Sequence, residues 1–247
     1  MSANPRMVTL VRESKSWSQG QLATASGVTQ GYVSKVESGL ADLVGERLAA
    51  VAAALDCPAV VLAIRDPQQG AEVSCMFHRR RRSRMTASAA KRVEAIGHLT
   101  RISVDGLMEG REVACDLQRM PLDEYGGDPA RVAAVLRDRW GVRSGPIDDL
   151  HALLDRAGVV IVVREFDSVA QDAFSTWPPG KAPLMVAQAG LAPDRERFSL
   201  CHELGHVLMH VIPTDDQEQQ ADAFAAEFLA PAEDIAPQLE GLRNLST

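Results

Sequence analysis

The segment Asp194–His210 (DRERFSLCHELGHVLMH) constrains this chain more than any other. Acids near its start and no internal proline make it read as one α-helix. Residues four apart share a helix face, so His202 and His206 can direct both imidazoles at one ion. Glu203 lies next to that face, close enough to act on a water held there. A solvated helix carrying the same residues is the alternative, but Phe198, Leu200, Leu204, Val207 and Leu208 are too apolar for it. The two imidazoles are therefore expected to be partly buried and to need a partner.

A histidine pair of this kind, with a glutamate as general base, is the HExxH arrangement of zinc peptidases. A catalytic zinc needs a third protein ligand and keeps a fourth position open. The metzincin pattern puts glycine and histidine three and six residues after the second histidine; here Met209 and Ile212 stand there, which excludes it. After the break at Pro213-Thr214, a new helix running to about Leu229 offers Glu218 to complete a site of two histidines and one glutamate. Asp222, one turn further on the same face, is placed to accept the second N–H of a ligating histidine. Asp215, Asp216 and Glu227 compete with Glu218. Glu227 sits about 13 Å further along roughly the same face, so both cannot bind one ion. Zn2+ is the expected metal, with Mn2+ also compatible with such donors. His210, one turn past His206 and beyond reach of the same ion, is expected to cap the helix end or support a ligand. Cys201 points about 100° away from the histidine face, and buried packing suits it better than a redox role.

The N-terminal region has a different periodicity. Met7–Ile64 reads as short amphipathic helices, with Ser18 and Thr29 as N-caps, a Ser26-Gly27-Val28 turn, and a helix Gln30–Glu37 closed by Ser38-Gly39. Two helices joined by a tight glycine turn are the helix-turn-helix signature. Val44–Leu55 completes a small bundle. Charge agrees with a polyanion partner at this end: residues 1–100 carry a net +5 and residues 101–247 a net −12. A helical bundle for dimerisation or partner binding is the competing reading.

Asp66–Glu72 reads as a polar linker, followed by the basic cluster His78–Arg84 and a helical run from Thr86 through Leu99. The cluster is either a solvated face or a phosphate clamp. Residues 105–128 have weak periodicity and are assigned no chemistry. Asp128-Pro129 starts a helix that stops at Gly141, and a second spans Ile147–Ala157. Val159–Val163 has the composition of a buried strand; Ala173–Ser175 and Leu184–Ala187 are shorter strands, separated by a Pro178-Pro179-Gly180 turn. Cys57, Cys75, Cys115 and Cys201 form no CxxC pair, which argues against a disulfide framework or a thiolate zinc site. No apolar stretch is long enough to span a membrane and the N-terminus lacks the apolar core of a signal peptide, so a cytoplasmic location is expected.

Two stretches resemble known families. Trp17-Ser18-Gln19, Gln21-Leu22-Ala23, Gly27-Val28-Thr29-Gln30 and Val33-Ser34-Lys35-Val36-Glu37-Ser38-Gly39 resemble the Cro/C1-type (XRE) helix-turn-helix, over about a fifth of the chain. That resemblance implies contacts to double-stranded DNA from Gln19, Thr29, Gln30, Tyr32, Ser34 and Lys35. Gly31, on the same face, has no side chain to read a base and weakens the helix. Arg197–His210, then Glu218, Ala221-Asp222 and Phe224–Pro231, with Gly145-Pro146-Ile147 upstream, resemble the ImmA/IrrE family of metallo-endopeptidases over roughly 128–231. Cys201, Asp222 and Ala230 depart from its usual Ala, Asn and Met, and the chain ends soon after Pro231, as if a C-terminal segment were absent or removed.

These resemblances imply an α+β protein: an all-α helix-turn-helix domain (1–65), a linker and basic helical connector (66–127), and a zincin-like metallopeptidase domain (128–247) with a small sheet and the HExxH helix. They imply His202, His206 and Glu218 as metal ligands, Glu203 as catalytic base, and, by likeness to the thermolysin arrangement, Asp222 holding His202. The implied substrate is a protein, a DNA-bound transcriptional repressor in stress-response or mobile-element control; no membrane is involved, and a homodimer is compatible. The competing readings are a non-proteolytic XRE-type regulator whose peptidase-like domain senses a ligand, and a partner-binding, antitoxin-like role. An intact Glu203 favours the peptidase, because a pure sensor needs no general base.

Overall fold

Side-chain caps decide where the N-terminal helices begin. The computed structural model describes residues 1–65, 86–110, 115–142, 144–165, 172–210 and 214–243. In it the side chains of Asn4, Ser18 and Thr29 accept backbone N–H bonds from Arg6, Gln21 and Tyr32. They open α1 (Pro5–Ser14), α2 (Gln19–Ser26) and α3 (Gln30–Glu37), each cap contributing roughly 1 kcal/mol. Gln21 returns a bond to the Ser18 backbone, completing a capping box. Gly27 ends α2 at φ 70°, a conformation glycine adopts without strain. With α4 (Gly45–Ala54) and α5 (Ala59–Leu62), these helices bury Val8, Leu22, Val33, Val36, Val51 and Leu55 in one core.

A buried ion pair crosses that core. Arg12 donates to both oxygens of Glu37, at 2.6 and 2.9 Å, and to the Trp17 carbonyl at 2.6 Å. Burial pulls the Arg12 guanidinium down, but the Glu37 bonds outweigh it and the group is held above its ordinary value. The helical run starting at Thr86 continues past Leu99 as α6 (Ala87–Met108). Its Ala95, Leu99 and Ile102 pack against Met7 and Leu10 of α1, so this first unit includes α6 as well as the five helices before it. The basic cluster His78–Arg84, the linker Asp66–Glu72 and Cys75 lie outside the described residues.

The second unit contains a 3-10 turn (Leu122–Tyr125), α7 (Pro129–Arg139), α8 (Leu150–Arg156), three strands, α9 (Pro193–Met209), α10 (Gln217–Leu229) and α11 (Ala232–Arg243). The strands β1 (Val160–Arg164), β2 (Ala173–Thr176) and β3 (Leu184–Gln188) form a sheet of order β1-β3-β2. β1 runs parallel to β3, with Val160 opposite Leu184; β2 runs antiparallel, with Ser175 opposite Met185. This corrects one expectation. β1, the most β-branched run, is not the buried strand: it lies at an edge and Val163 is 52% exposed. Leu184, Met185, Val186 and Ala187 of the central β3 and Ala173–Thr176 of β2, the other edge strand, are buried instead, because helix α9 packs on those two strands.

Helix α9 lies in the core beside β2 and β3, with Leu200, Cys201, Leu204 and Leu208 fully buried. Helix α10 buries a stripe at helical spacing: Glu218, Ala221, Phe224, Ala225 and Phe228. The two helices meet at Gly205, where a Cβ would lie 3.0 Å from the Phe224 ring and 3.4 Å from the Ala221 Cα. Glycine inside the histidine motif is therefore a packing requirement that lets α10 approach the histidine face closely.

Candidate metal centre

Helix α9 begins with Pro193 at its first turn and with Asp194 and Glu196 near its positive end, and it runs unbroken to Met209. That continuity places His202 and His206 on one face, toward α10. Their Nε2 atoms are 2.9 Å apart. Glu218, in the first turn of α10, puts Oε1 3.3 Å from His206 Nε2 and Oε2 3.9 Å from His202 Nε2. The three residues are 1%, 3% and 8% exposed, and they form the one His/Cys/Asp/Glu cluster of metal-ligand spacing among the described residues.

Donors 2.0–2.2 Å from a tetrahedral zinc stand about 3.3 Å from one another, a value these three separations bracket. Hydrogen bonding on the outer side of each ring supports the same reading. His202 Nδ1 donates to Asp222 Oδ1 at 2.7 Å, although the Asp222 side chain is 59% exposed. His206 Nδ1 lies 2.9 Å from His210 Nδ1, and His210 Nε2 lies 2.9 Å from Gln220 Oε1. The bond to Asp222 puts the His202 proton on Nδ1 and turns its Nε2 lone pair inward beside the Glu218 carboxylate, and the His206 Nε2 faces the same point. That donor set suits a divalent cation and is repulsive without a positive charge between its members.

Glu203 is 1% exposed and follows the first histidine on α9. The Ser175 hydroxyl, on β2, donates to Glu203 Oε2 at 2.8 Å and fixes the orientation of the carboxylate. Ser175, Trp177, Arg119, His206 and His210 line a recess beside the histidines. Arg119 lies over the Trp177 ring at 4.5 Å and donates to the carbonyls of Trp177 and Val207, while the Met120 N–H donates to Leu208 O at 2.9 Å. The otherwise unmatched carbonyls at the end of α9 are thus bonded by a segment with no periodicity in the sequence.

The competing acids stand elsewhere. Asp215 and Asp216 are exposed, Asp216 flanking the start of α10, and the Glu227 carboxylate accepts from the Ala232 N–H at 3.2 Å, where α11 begins. Cys201 is fully buried, and burial pushes its thiol up to about 12, with Arg197 opposing. It is a neutral packing group. Burial also holds His210 below the ordinary histidine value, against the opposing bond to Gln220.

In the first unit, Thr29, Gln30 and Lys35 are exposed, and Ser34 is half-buried. Gln30 donates to Gln19 at 3.1 Å and Gln19 to Glu37 at 2.9 Å, so the two amides are set by the buried Arg12–Glu37 pair. The Tyr32 hydroxyl donates to the Asp42 carbonyl at 2.7 Å with Arg47 over its ring, a placement that braces the turn after α3. No atom comes within 4 Å of a Cβ built on Gly31.

Comparison with known families agrees with both units. Residues 154–247 match the IrrE N-terminal-like domain of peptidase family M78, and residues 10–62 match the helix-turn-helix family. No curated protein and no solved structure matches the chain. No described helix is long and apolar enough to cross a membrane. The chain is therefore similar over residues 10–62 to a helix-turn-helix, a fold that binds DNA, and over residues 154–247 to an IrrE N-terminal-like domain of the metallopeptidase type.

Proposed function

We propose that this protein is a zinc-dependent endopeptidase that binds DNA through its helix-turn-helix and cleaves a transcriptional repressor or related regulator. The observation that carries the reading is the convergence of His202 Nε2, His206 Nε2 and Glu218 within 4.8 Å of one another, beside a buried Glu203. These residues would hold zinc. When bound there, zinc supplies Lewis acidity toward the scissile carbonyl and lowers the pKa of water.

The chain's own groups supply the rest. Glu203, oriented by Ser175, takes a proton from the attacking water as the C–O bond forms, then delivers it to the amide nitrogen, and the peptide C–N bond breaks as the tetrahedral adduct collapses to carboxylate and amine. Asp222 holds His202 with its Nε2 lone pair turned inward. At the other end, Gln19, Thr29, Gln30, Ser34 and Lys35 face the major groove, Lys35 toward a phosphate, and Tyr32 braces that surface. Recognition of one operator by enzyme and repressor would raise the local concentration of substrate. A cytoplasmic setting follows from DNA as partner.

A non-proteolytic regulator with a ligand-sensing domain is the second reading, and Glu203 discriminates between them. Sets of new protein N-termini are compared in cells producing wild type or Glu203→Gln. The peptidase reading expects cleavage of a DNA-bound regulator with wild type, reduced about a thousandfold in Glu203→Gln with zinc retained. Identical sets of N-termini from the two proteins would refute it.

A further inference from the structure

His202 and His206 are held from behind in different ways. Asp222 can only accept, which leaves His202 no choice of tautomer. Behind His206 stands another imidazole, 7% exposed, on the residue that caps the C-terminus of α9. A bond between two imidazole nitrogens requires one ring to donate and the other to accept, so the state of His210 decides that of His206.

We propose that His210 and Gln220 are positioning residues that select the metal-binding tautomer of His206. Gln220 Oε1 accepts from His210 Nε2 at 2.9 Å, which places the single proton of neutral His210 on that nitrogen. His210 Nδ1 then presents a lone pair to His206 Nδ1, 2.9 Å away. His206 carries its proton on Nδ1 and turns the Nε2 lone pair toward His202 Nε2 and Glu218. The opposite amide orientation would make Gln220 a donor, reverse both bonds and put a proton on His206 Nε2, where it blocks the metal. One helix thus serves both ligand histidines. From α10, Glu218 faces the ion position, Asp222 holds His202 directly, and Gln220 holds His206 through His210. The inference rests on the metal-site reading above.

The test measures the zinc dissociation constant by chelator competition in the full-length protein for wild type, His210→Ala and His210→Asn, with 15N NMR of the His206 ring in the metal-free proteins. Asparagine can place an acceptor oxygen near the position of Nδ1. The expected result is a 10- to 100-fold weaker constant for His210→Ala and recovery to within about threefold of wild type for His210→Asn. The His206 ring is protonated on Nδ1 in wild type and in His210→Asn, and is a tautomer mixture in His210→Ala. A purely structural role would weaken both variants alike and leave the tautomer unchanged. Wild-type affinity in His210→Ala, or His210→Asn as weak as His210→Ala, overturns the proposal alone. A wild type that binds no zinc overturns it together with the metal-site reading.

Discussion

The candidate metal centre and the exposed face of α3 are built in opposite ways. At the candidate centre, His202, Glu203, His206 and Glu218 are buried and tied to partners, with Asp222 behind His202, His210 behind His206 and Ser175 behind Glu203. On α3, Thr29, Gln30 and Lys35 are exposed, and the face is interrupted by Gly31, which touches nothing. The difference follows from what each surface meets. A cation of fixed coordination geometry requires donors preorganised in a dry site, whereas a hydrated polyanion attracts exposed cations and amides. Substitutions should therefore be costly and position-specific in the first region, and mild and graded in the second.

Asp222→Ala, which leaves His202, His206 and Glu218 in place, should have a large effect. Freed on its outer side, His202 should lose 10- to 100-fold in zinc affinity by chelator competition. Unchanged affinity would mean that a half-exposed aspartate does not set the ring, and would remove the contrast on which the comparison stands. Next comes one substitution made in both regions. Gly205→Ala drives a methyl against the buried Phe224 ring and should lower stability in denaturant by about 1–3 kcal/mol. Gly31→Ala meets no atom and should raise stability by about 0.5–1 kcal/mol. Effects of the same sign would show that close packing at Gly205 is not what separates the two helices from each other in tolerance. Smallest is Lys35→Ala, which should weaken binding of operator and unrelated duplex alike and reduce the slope of log affinity against log salt by about 1. Loss confined to one sequence would make Lys35 a reader of bases.

The comparison also explains what the sequence made legible. His202 and His206 are readable because a four-residue spacing in an apolar helix has one geometric meaning. The Ser18 and Thr29 caps and the Gly27 turn are local too, and they place α2 and α3 within a residue of where the sequence puts them. Glu218 is harder. Several acids stand beyond the break after α9, and what separates Glu218 from its competitors Asp215, Asp216 and Glu227 is that it falls on the buried stripe of α10 facing Gly205. Ser175 and Arg119 carried no signal: they reach Glu203 and the end of α9 from 28 and 88 residues away, and no periodicity records a contact of that range. The central position of β3 was equally hidden, because composition reports burial of side chains and not the order in which strands pair. Helix α6 outran its expected end at Leu99 because Gly97, Ser103 and Gly106 dilute its helical composition, yet packing of Leu99 and Ile102 carries it to Met108.

Metal content of the purified full-length protein, measured by plasma mass spectrometry for wild type, His206→Ala and Glu218→Ala, tests the account at its centre. It predicts one equivalent of zinc per chain in wild type and loss of that zinc in both variants. A wild type that takes up no metal when zinc is supplied, or variants that keep a full equivalent, would contradict it.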